Sequence, residues 1–375
     1  MTPLRTIVAL ALLPAAGDVA RAQGVFRVSP LLGVAQIYDS NLVSTPMPSD
    51  RQADFITRVS PGIDSEYRTP LLTVLGRYTL DAERFTRHPG LTSMTARQRA
   101  SLEMTHRPTP RLAVAAGAEL TKTRTPGELS AETALTLSRA SARRVAARSS
   151  LTRRLDLATA ATIHYAFTED RVAGGPWTRT HAATIGAERH ASPRDTVGLD
   201  YQLRRFLFGT SSAASHALVL GWTRAMTPRT SLSIGGGPRV TDGSAAPDLS
   251  ASIRYQFEPG HDLSLAYART QTTVIGLAGT TDTQSLAATA AWRLPSSLQV
   301  RVSPGFHRSV HARLPADVYR LAVGVTRQIA GNLSLDVVFD SYVQQGSFHT
   351  APASGSISRH DVIVRLVATP APRPR

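Results

Sequence analysis

The stretch Leu249-Ser250-Ala251-Ser252-Ile253-Arg254-Tyr255-Gln256-Phe257 alternates apolar and polar side chains without interruption. Successive side chains of a β-strand point to opposite faces, so one face of this segment is apolar and the other is polar. Segments of about ten residues with this pattern, separated by turns, are typical of transmembrane β-barrels, whose outer face meets lipid and whose inner face meets a polar lumen. Comparable segments recur along most of the chain.

The recurring pattern predicts an all-β fold: a single transmembrane antiparallel β-barrel of about 18 strands, with 16 also acceptable, and no plug domain. The strands are expected at 25–38, 54–67, 71–85, 94–107, 111–124, 140–153, 156–168, 177–190, 196–208, 213–225, 230–241, 248–257, 262–274, 283–293, 297–309, 317–328, 332–344 and 357–368. Short turns alternate with longer loops, expected at 39–53, 87–93, 125–133, 170–176, 242–247, 276–282 and 346–355. An even strand count with this alternation places both termini in the periplasm.

Two stretches interrupt the pattern. Residues Gly127 to Arg154 are rich in Ala and Arg, and this composition would permit a short basic helix in a loop. The run Gly235-Gly236-Gly237 lies inside a predicted strand, where a bulge or bend is expected.

The first residues carry the features of an export signal. Arg5 is followed by an apolar run from Ile7 to Ala16 and then by Ala20-Arg21-Ala22, a small-x-small cleavage pattern. We therefore expect a signal peptide at 1–22, a barrel at 23–368 and a Pro/Arg-rich tail at 369–375. No later run approaches the roughly 18 apolar residues of a transmembrane helix. The expected location is the bacterial outer membrane.

Composition excludes several classes of protein. The chain is 42% hydrophobic and has no cysteine, so disulfide scaffolds, thiol catalysis and thiolate metal sites are all excluded. Its mean hydropathy of -0.10 suits half-and-half alternation. No cofactor or metal motif is found. Asp336 and Asp340 share a face but stand roughly 13 Å apart at 3.3 Å per residue, too far to chelate one ion.

The chain is strongly basic, with a formal net charge of +15 and Lys122 as its only lysine. Its arginines are spread over nearly every strand and form no patch, so nucleic acid is not an expected partner. Alternation assigns many of them to the lumen, principally Arg77, Arg97, Arg204, Arg254, Arg301, Arg320 and Arg365. The acids on the same faces are Glu119, Asp200, Asp336 and Asp340. These arginines either attract anions into a pore or pair with the acids and brace the wall.

No catalytic residues are predicted. The motifs His-Glu-x-x-His, Gly-x-Ser-x-Gly, Ser-x-x-Lys and the Walker loop are all missing from the sequence. Ser215 and His216 are neighbours, but adjacent residues of a strand point to opposite faces and cannot form a catalytic pair without a bulge.

The N-terminal segments resemble a known family. Phe26-Arg27-Val28-Ser29-Pro30, Tyr38-Asp39-Ser40-Asn41-Leu42 and Asp54-Phe55-Ile56-Thr57-Arg58-Val59-Ser60-Pro61-Gly62-Ile63 are similar to the opening strands of β-barrel porins associated with exopolysaccharide and exosortase (PEP-CTERM) loci. In this chain Ser40 separates the Asp and Asn of the first element, and a Pro/Arg tail follows the last strand.

The resemblance implies a role in surface-polysaccharide export or outer-membrane permeability. The first hypothesis is a channel or conduit for solutes or an anionic exopolysaccharide. The alternatives are a barrel enzyme acting on lipid or glycan and a non-conducting structural barrel. The expected partners are outer-membrane lipid, the barrel-assembly machinery and polysaccharide export components.

Overall fold

The computed structural model describes residues 24–369 except 131, 136, 259, 311–314 and 349–350. These residues form eighteen strands: β1 (Val25–Asp39), β2 (Asp54–Arg68), β3 (Leu72–Phe85), β4 (Ser93–Thr109), β5 (Leu112–Thr123), β6 (Ala142–Arg154), β7 (Thr159–Val172), β8 (Thr178–His190), β9 (Asp195–Phe208), β10 (Ser211–Thr227), β11 (Thr230–Thr241), β12 (Ser244–Glu258), β13 (His261–Thr273), β14 (Thr280–Leu294), β15 (Leu298–Val310), β16 (Ala316–Ala330), β17 (Leu333–Phe348) and β18 (Ala351–Ala368). Single turns of 3-10 helix occur at Pro48–Asp50, Pro89–Leu91 and Pro126–Leu129.

The strands form one closed antiparallel barrel. Each strand pairs with its neighbours in the chain, and β1 also pairs with β18 from Leu32↔Ala368 to Asp39↔Asp361. Closure leaves no sheet edge, so the strands satisfy one another's backbone hydrogen-bonding groups. The predicted fold class and the count of eighteen strands are confirmed.

The register separates an apolar outer face from a polar inner face. Ile253 pairs with Leu232 on β11 and Leu265 on β13, whereas its neighbour Ser252 pairs with Ser233 and Ala266. Directly paired residues point to the same side of a sheet. The outer side chains are exposed although they are large and apolar: Leu199 is 49% exposed, Leu220 59% and Ile234 48%. An apolar band of this kind around a closed barrel is the surface that lipid covers.

Two predicted loops are strands in the structure. Residues 242–247 were expected to form a loop, but Asp242 and Gly243 alone link β11 to β12, with φ angles of 46° and 84°. An Asp-Gly pair suits the two positive φ angles of a tight hairpin turn. Residues 346–355 were likewise expected to be a loop, but β17 extends to Phe348 and β18 starts at Ala351.

The structure also shows the conformation of the two stretches that interrupt the alternating pattern. The segment from Gly127 to Arg154 contains only the end of a 3-10 turn before β6, and no longer helix occurs among its described residues. The triple glycine causes no shift in register, so of the predicted bulge or bend the bulge is wrong. A Cβ on Gly237 would lie 1.7 Å from the carbonyl oxygen of Leu218, so the glycine permits a close approach of two backbones.

The predicted signal peptide and most of the predicted C-terminal tail lie outside the described residues. Among the residues that are described, no helix has the length and hydrophobicity to cross a membrane.

The facing of β12 predicts the effect of inserting a charge. We expect Ile253→Arg to destabilise the barrel by about 2–4 kcal/mol, because the side chain faces lipid. Ser252→Arg, one residue away on the lumen side, is the matched control and should be tolerated. The measurement is the urea midpoint for unfolding from lipid vesicles, followed by heat-modifiable gel mobility. Equal loss in both variants would show that the assigned facing is wrong.

Candidate functional site: the lumen and its outer mouth

The two ends of the barrel differ in the length of their connections. At one end the turns are short, as at Arg68–Leu72 and Ala330–Leu333, and β1 begins and β18 finishes at this end. At the other end the chain makes long links, the longest being 124–141 between β5 and β6. In barrels of this kind, long loops face the outside and short turns face the periplasm. The long-loop end is called the outer mouth below.

The link 124–141, here called the crossing segment, extends over the lumen. Its Leu135 is 2% exposed and packs against Val274 and Leu277 of the β13–β14 link and against Ala316 and Val318. The last two belong to β16, which lies on the far side of the barrel from β5. Leu129 packs separately against Ala142 and Ile275. Burial of these leucines anchors the segment inside the mouth.

Ion pairs hold the crossing segment on the opposite side. The carboxylate of Glu128 lies 3.0 Å from the guanidinium of Arg97 on β4. Arg139 lies 3.4 Å from Glu83 on β3 and covers the ring of Phe85 at 4.9 Å from its centroid. Burial lowers the pKa of the Arg139 guanidinium, and the charge of Glu83 opposes that effect. The segment is therefore fixed to β3 and β4 by charge and to β16 by apolar packing.

Neighbouring links are fixed to the rim by hydrogen bonds. The Asn41 side-chain amide donates to the carbonyl oxygens of Thr45 at 2.9 Å and Ser358 at 3.0 Å, which ties the β1–β2 link to β18. The Asp54 carboxylate accepts from the backbone N–H groups of Arg87 and His88. These side chains replace the backbone partners that the strands lose at the mouth.

Two cavities remain beside the crossing segment. The first has a volume of about 390 Å³ and is rich in hydroxyl groups. Its polar lining includes Ser130, Glu132, Thr133, Arg144, Thr168, Asp170, Thr180, Arg204, Thr270, Gln271, Thr272 and Thr273. The second has a volume of about 230 Å³ and is rich in charge. Its charged lining consists of Asp39, Arg58, Arg97, Glu128, Arg139, Asp340, Arg359 and Asp361. The crossing segment lines both cavities and so lies between them.

Most of the predicted lumen arginines are paired with carboxylates. The guanidinium-to-carboxylate distances are 2.6 Å for Arg77 and Asp64, 2.5 Å for Arg97 and Asp81, 2.7 Å for Arg320 and Asp340, and 2.8 Å for Arg365 and Asp336. Arg204 lies 3.6 Å from Asp248 and donates to Thr270, Gln271 and Gln202. The more exposed of these pairs contribute about 0–1 kcal/mol each, so their main effect is to fix side chains and cancel charge.

Two predicted arginines differ from the others. Arg254 on β12 and Arg301 on β15 have no ion pair within the described part of the chain, and both are exposed. Among the predicted acids, Glu119 accepts from the Thr121 hydroxyl at 2.8 Å and lies 3.8 Å from Arg99. Asp200 has no ion-pair partner among the described residues, and its carboxylate fills the space beside Gly186.

Alternation places Arg239 on the polar face of β11 but does not show its partners, which form a buried brace in the wall. Arg239 is 2% exposed and donates to Asp248 at 2.5 Å and to Asp282 on β14. Asp248 also approaches Arg204, so β9, β11, β12 and β14 are joined by one charged network. The sequence signal was the presence of Asp248 on the polar face of β12, but its partners lie on strands that only the closed register brings near.

The structure does not bring Ser215 and His216 together. Ser215 is buried and accepts from the Thr241 hydroxyl, whereas the ring of His216 contacts the Tyr201 hydroxyl at 2.7 Å. The two side chains therefore point to opposite faces of β10. No cluster of three or more His, Asp or Glu side chains suited to a metal ion occurs among the described residues.

Comparison with solved structures finds similar barrels. The outer membrane protein OpdK of Pseudomonas aeruginosa is 11% identical, with 92% of this chain and 99% of that chain covered and a TM-score of 0.50. OccAB4 of Acinetobacter baumannii is 10% identical, with 92% and 99% covered and a TM-score of 0.48. The siderophore receptor PirA of Pseudomonas aeruginosa is 10% identical, with 92% and 80% covered and a TM-score of 0.43. No protein-family model and no curated protein matches the chain.

These observations define the class of protein. The likeness to OpdK shows the same fold and nothing more specific. A closed antiparallel barrel with an even number of strands, an apolar outer band, short turns at one end and long loops at the other is the architecture of bacterial outer-membrane proteins. The chain is an outer-membrane β-barrel protein of porin-like fold.

The packing of Leu135 predicts how firmly the crossing segment is held. We expect Leu135→Ala to reduce the free energy of local opening of residues 124–141 by about 2–5 kcal/mol, because a buried leucine is lost. Amide hydrogen exchange of these residues should become faster while exchange in the strands stays unchanged. Leu157→Ala, in a turn at the short-turn end where Leu157 is 96% exposed, is the control. Unchanged exchange in the Leu135 variant would mean that the segment is held by other contacts.

Proposed function

We propose that this protein is a passive channel for small polar solutes across the outer membrane, with the crossing segment as its constriction. The observation that carries the proposal is the position of that segment: it extends from β5 over a polar lumen to β16 and leaves a cavity on each side. A segment fixed at both ends narrows the lumen, and the two cavities beside it are the proposed path for solutes. The hydroxyl, amide and charged groups of the lining suit hydrated solutes.

The size of the openings supports small solutes over a polymer. The first cavity, of about 390 Å³, falls within the usual range of about 300–1,000 Å³ for pockets that hold single small molecules, and the second, of about 230 Å³, is smaller still. The resemblance to barrels of exopolysaccharide loci would instead make this protein an export conduit. A polymer chain would require the crossing segment to move, which breaks both its apolar packing and its ion pairs.

Conductance tests this proposal. The wild-type protein in planar lipid bilayers should give stable single-channel currents. Replacing 127–138 by a Gly/Ser linker should at least double the conductance, roughly, because the constriction is removed. The same linker in place of 46–51, whose side chains are mostly exposed, is the control and should leave the conductance unchanged. Absence of current from both wild type and the 127–138 variant would instead indicate a structural barrel.

Selectivity is proposed to favour anions weakly. Arg254 lies near the end of β12 at Glu258, and Arg301 lies near the start of β15 at Leu298. Both therefore face the lumen close to the short-turn end, and neither has an ion pair among the described residues. An uncompensated positive potential between low-dielectric walls concentrates anions. The paired arginines contribute little, because their carboxylate partners cancel them at short range.

Charge removal tests the selectivity. Arg254→Gln with Arg301→Gln should lower the anion-to-cation permeability ratio by roughly twofold, since two uncompensated charges leave the lumen. The ratio is measured from reversal potentials across a salt gradient. The control removes a complete pair, Asp336→Asn with Arg365→Gln, which leaves the net charge unchanged and should not alter the ratio. A cation-selective wild type, or an equal change in both double variants, would contradict the assignment.

A further inference from the structure

The outer face carries a row of basic residues near the outer mouth. Lys122 on β5 pairs in register with Arg143 on β6, and Arg143 pairs with Arg171 on β7. Arg179 on β8 and Arg205 on β9 continue the row on the same face. The outward direction follows from the register, since Lys122 alternates with the buried Thr121 and Thr123, and Arg205 alternates with the buried Phe206.

The position of this row matches the edge of the lipid-covered band. Arg143 and Arg153 on β6, and Arg179 and Arg189 on β8, lie about ten residues apart on the outer face, which corresponds to about 33 Å along a strand. With the usual strand tilt of 35–45°, that length spans about 25 Å across the membrane, the height of an apolar band. Arg153 and Arg189 therefore mark the periplasmic edge, and the row marks the outer edge, at the level of lipid headgroups.

The row is arranged to bind an anion from outside. The Glu169 carboxylate accepts from Nε of Arg171 at 2.8 Å and from Nε of Arg179 at 2.6 Å. Both guanidiniums are thus oriented through Nε, and their terminal nitrogens make no hydrogen bond within the described residues. The ring of Trp177 lies under Arg179 at 4.6 Å from its centroid. Lys122, Arg143 and Arg205 have no ion pair among the described residues, so five cations face a single carboxylate.

The basic residues of the outer edge are densest in one sector of the barrel. Outside this sector, Arg84 on β3 and Arg269 on β13 are single outward arginines without an ion pair among the described residues. On the opposite side, at the same edge, Arg308 on β15 is neutralised by Asp317 on β16 at 2.8 Å. On β10, the outward residue at the upper edge of the apolar band is His216, whose ring contacts the hydroxyl of Tyr201. A general requirement of the membrane interface would distribute unpaired cations evenly around the circumference. The density of basic residues on five adjacent strands, β5 to β9, favours a specific partner over such a general requirement.

We propose that Lys122, Arg143, Arg171, Arg179 and Arg205 form a binding site for the phosphate groups of phosphorylated glycolipid in the outer leaflet. Arginine forks bind phosphate oxygens in pairs, and clusters of basic residues at a membrane surface recognise anionic headgroups. The lipid chains would lie along the apolar strands below the row. This lipid site is separate from the lumen and does not depend on the proposed channel function.

Binding of a defined lipid tests the site. The full-length protein in nanodiscs of phosphatidylethanolamine is titrated with lipid A carrying two phosphates, with dephosphorylated lipid A and with inorganic phosphate, and bound lipid is counted by native mass spectrometry. We expect saturable binding of the phosphorylated lipid, clearly weaker binding of the dephosphorylated form and no displacement by an equal concentration of inorganic phosphate. Displacement by inorganic phosphate, or equal binding of both lipids, would overturn a lipid-phosphate site.

The variants use residues whose removal leaves no unpaired acid. Lys122→Gln, Arg143→Gln and Arg205→Gln together should weaken binding of the phosphorylated lipid at least about tenfold. The matched control, Arg153→Gln, Arg189→Gln and Arg327→Gln, removes three outward arginines from the periplasmic edge and should leave binding within about twofold of wild type. Equal loss in both triple variants would overturn the proposal.

Two further measurements keep the test decisive. Heat-modifiable mobility shows whether each variant is folded. If the triple variant does not fold, Lys122→Gln and Arg205→Gln are measured singly. Each should give a partial loss of lipid binding, whereas no loss in either would overturn the site.

Crosslinking through Lys122→Cys tests for a second copy of the barrel on the same surface. Efficient dimer formation in the membrane would assign the row to a protein interface and overturn the lipid site.

Discussion

The structure depends on the satisfaction of every backbone hydrogen bond within the membrane. Hydrocarbon offers no partner for a free N–H or C=O, and each unsatisfied group costs several kcal/mol. A sheet meets this requirement only when its first and last strands pair, as β1 and β18 do over eight residue pairs. Closure in turn fixes the facing of every side chain, because neighbouring strands share one register. The apolar band, the polar lumen and the charged rims follow from this shared register together with the alternation of apolar and polar residues in the sequence.

The strands could be predicted because lipid and lumen impose a period of two on almost every segment. The predicted strand boundaries were wrong where strands contain small and polar residues. Residues 346–355 contain Gly, Ser, Thr and Ala, which resemble a loop in sequence, yet β17 and β18 extend into this region. At 242–247 the Asp-Gly pair is a signal for a two-residue hairpin turn. The surrounding small residues instead favoured the prediction of a longer loop. In both places hairpin pairing extends the strands beyond the apolar band, where alternation no longer marks them.

The candidate site was predictable only in part. Alternation places Arg77 and Asp64 on one face, and the short turn between β2 and β3 fixes their register, so this pair follows from local sequence. The link between Arg204 and Asp248 does not, because it joins β9 to β12 across the interior. The same holds for Leu135, whose partners on β16 are distant in sequence. The leucines of this loop, Leu129 and Leu135 among them, are a signal that the crossing segment folds inward, but they do not show which strands it contacts.

The location of charge explains why net charge is a poor guide to the lumen. The chain carries +15, but Arg77, Arg97, Arg320 and Arg365 all have carboxylates within hydrogen-bonding distance. Much of the unpaired positive charge lies on the outer face, at the two edges of the apolar band, where Lys122, Arg143 and Arg205 mark the outer edge. Charges on the outer side of the wall are separated from the lumen by the sheet. The net charge of the chain is therefore no measure of the charge that faces the lumen, which depends on the arginines there that lack a carboxylate partner.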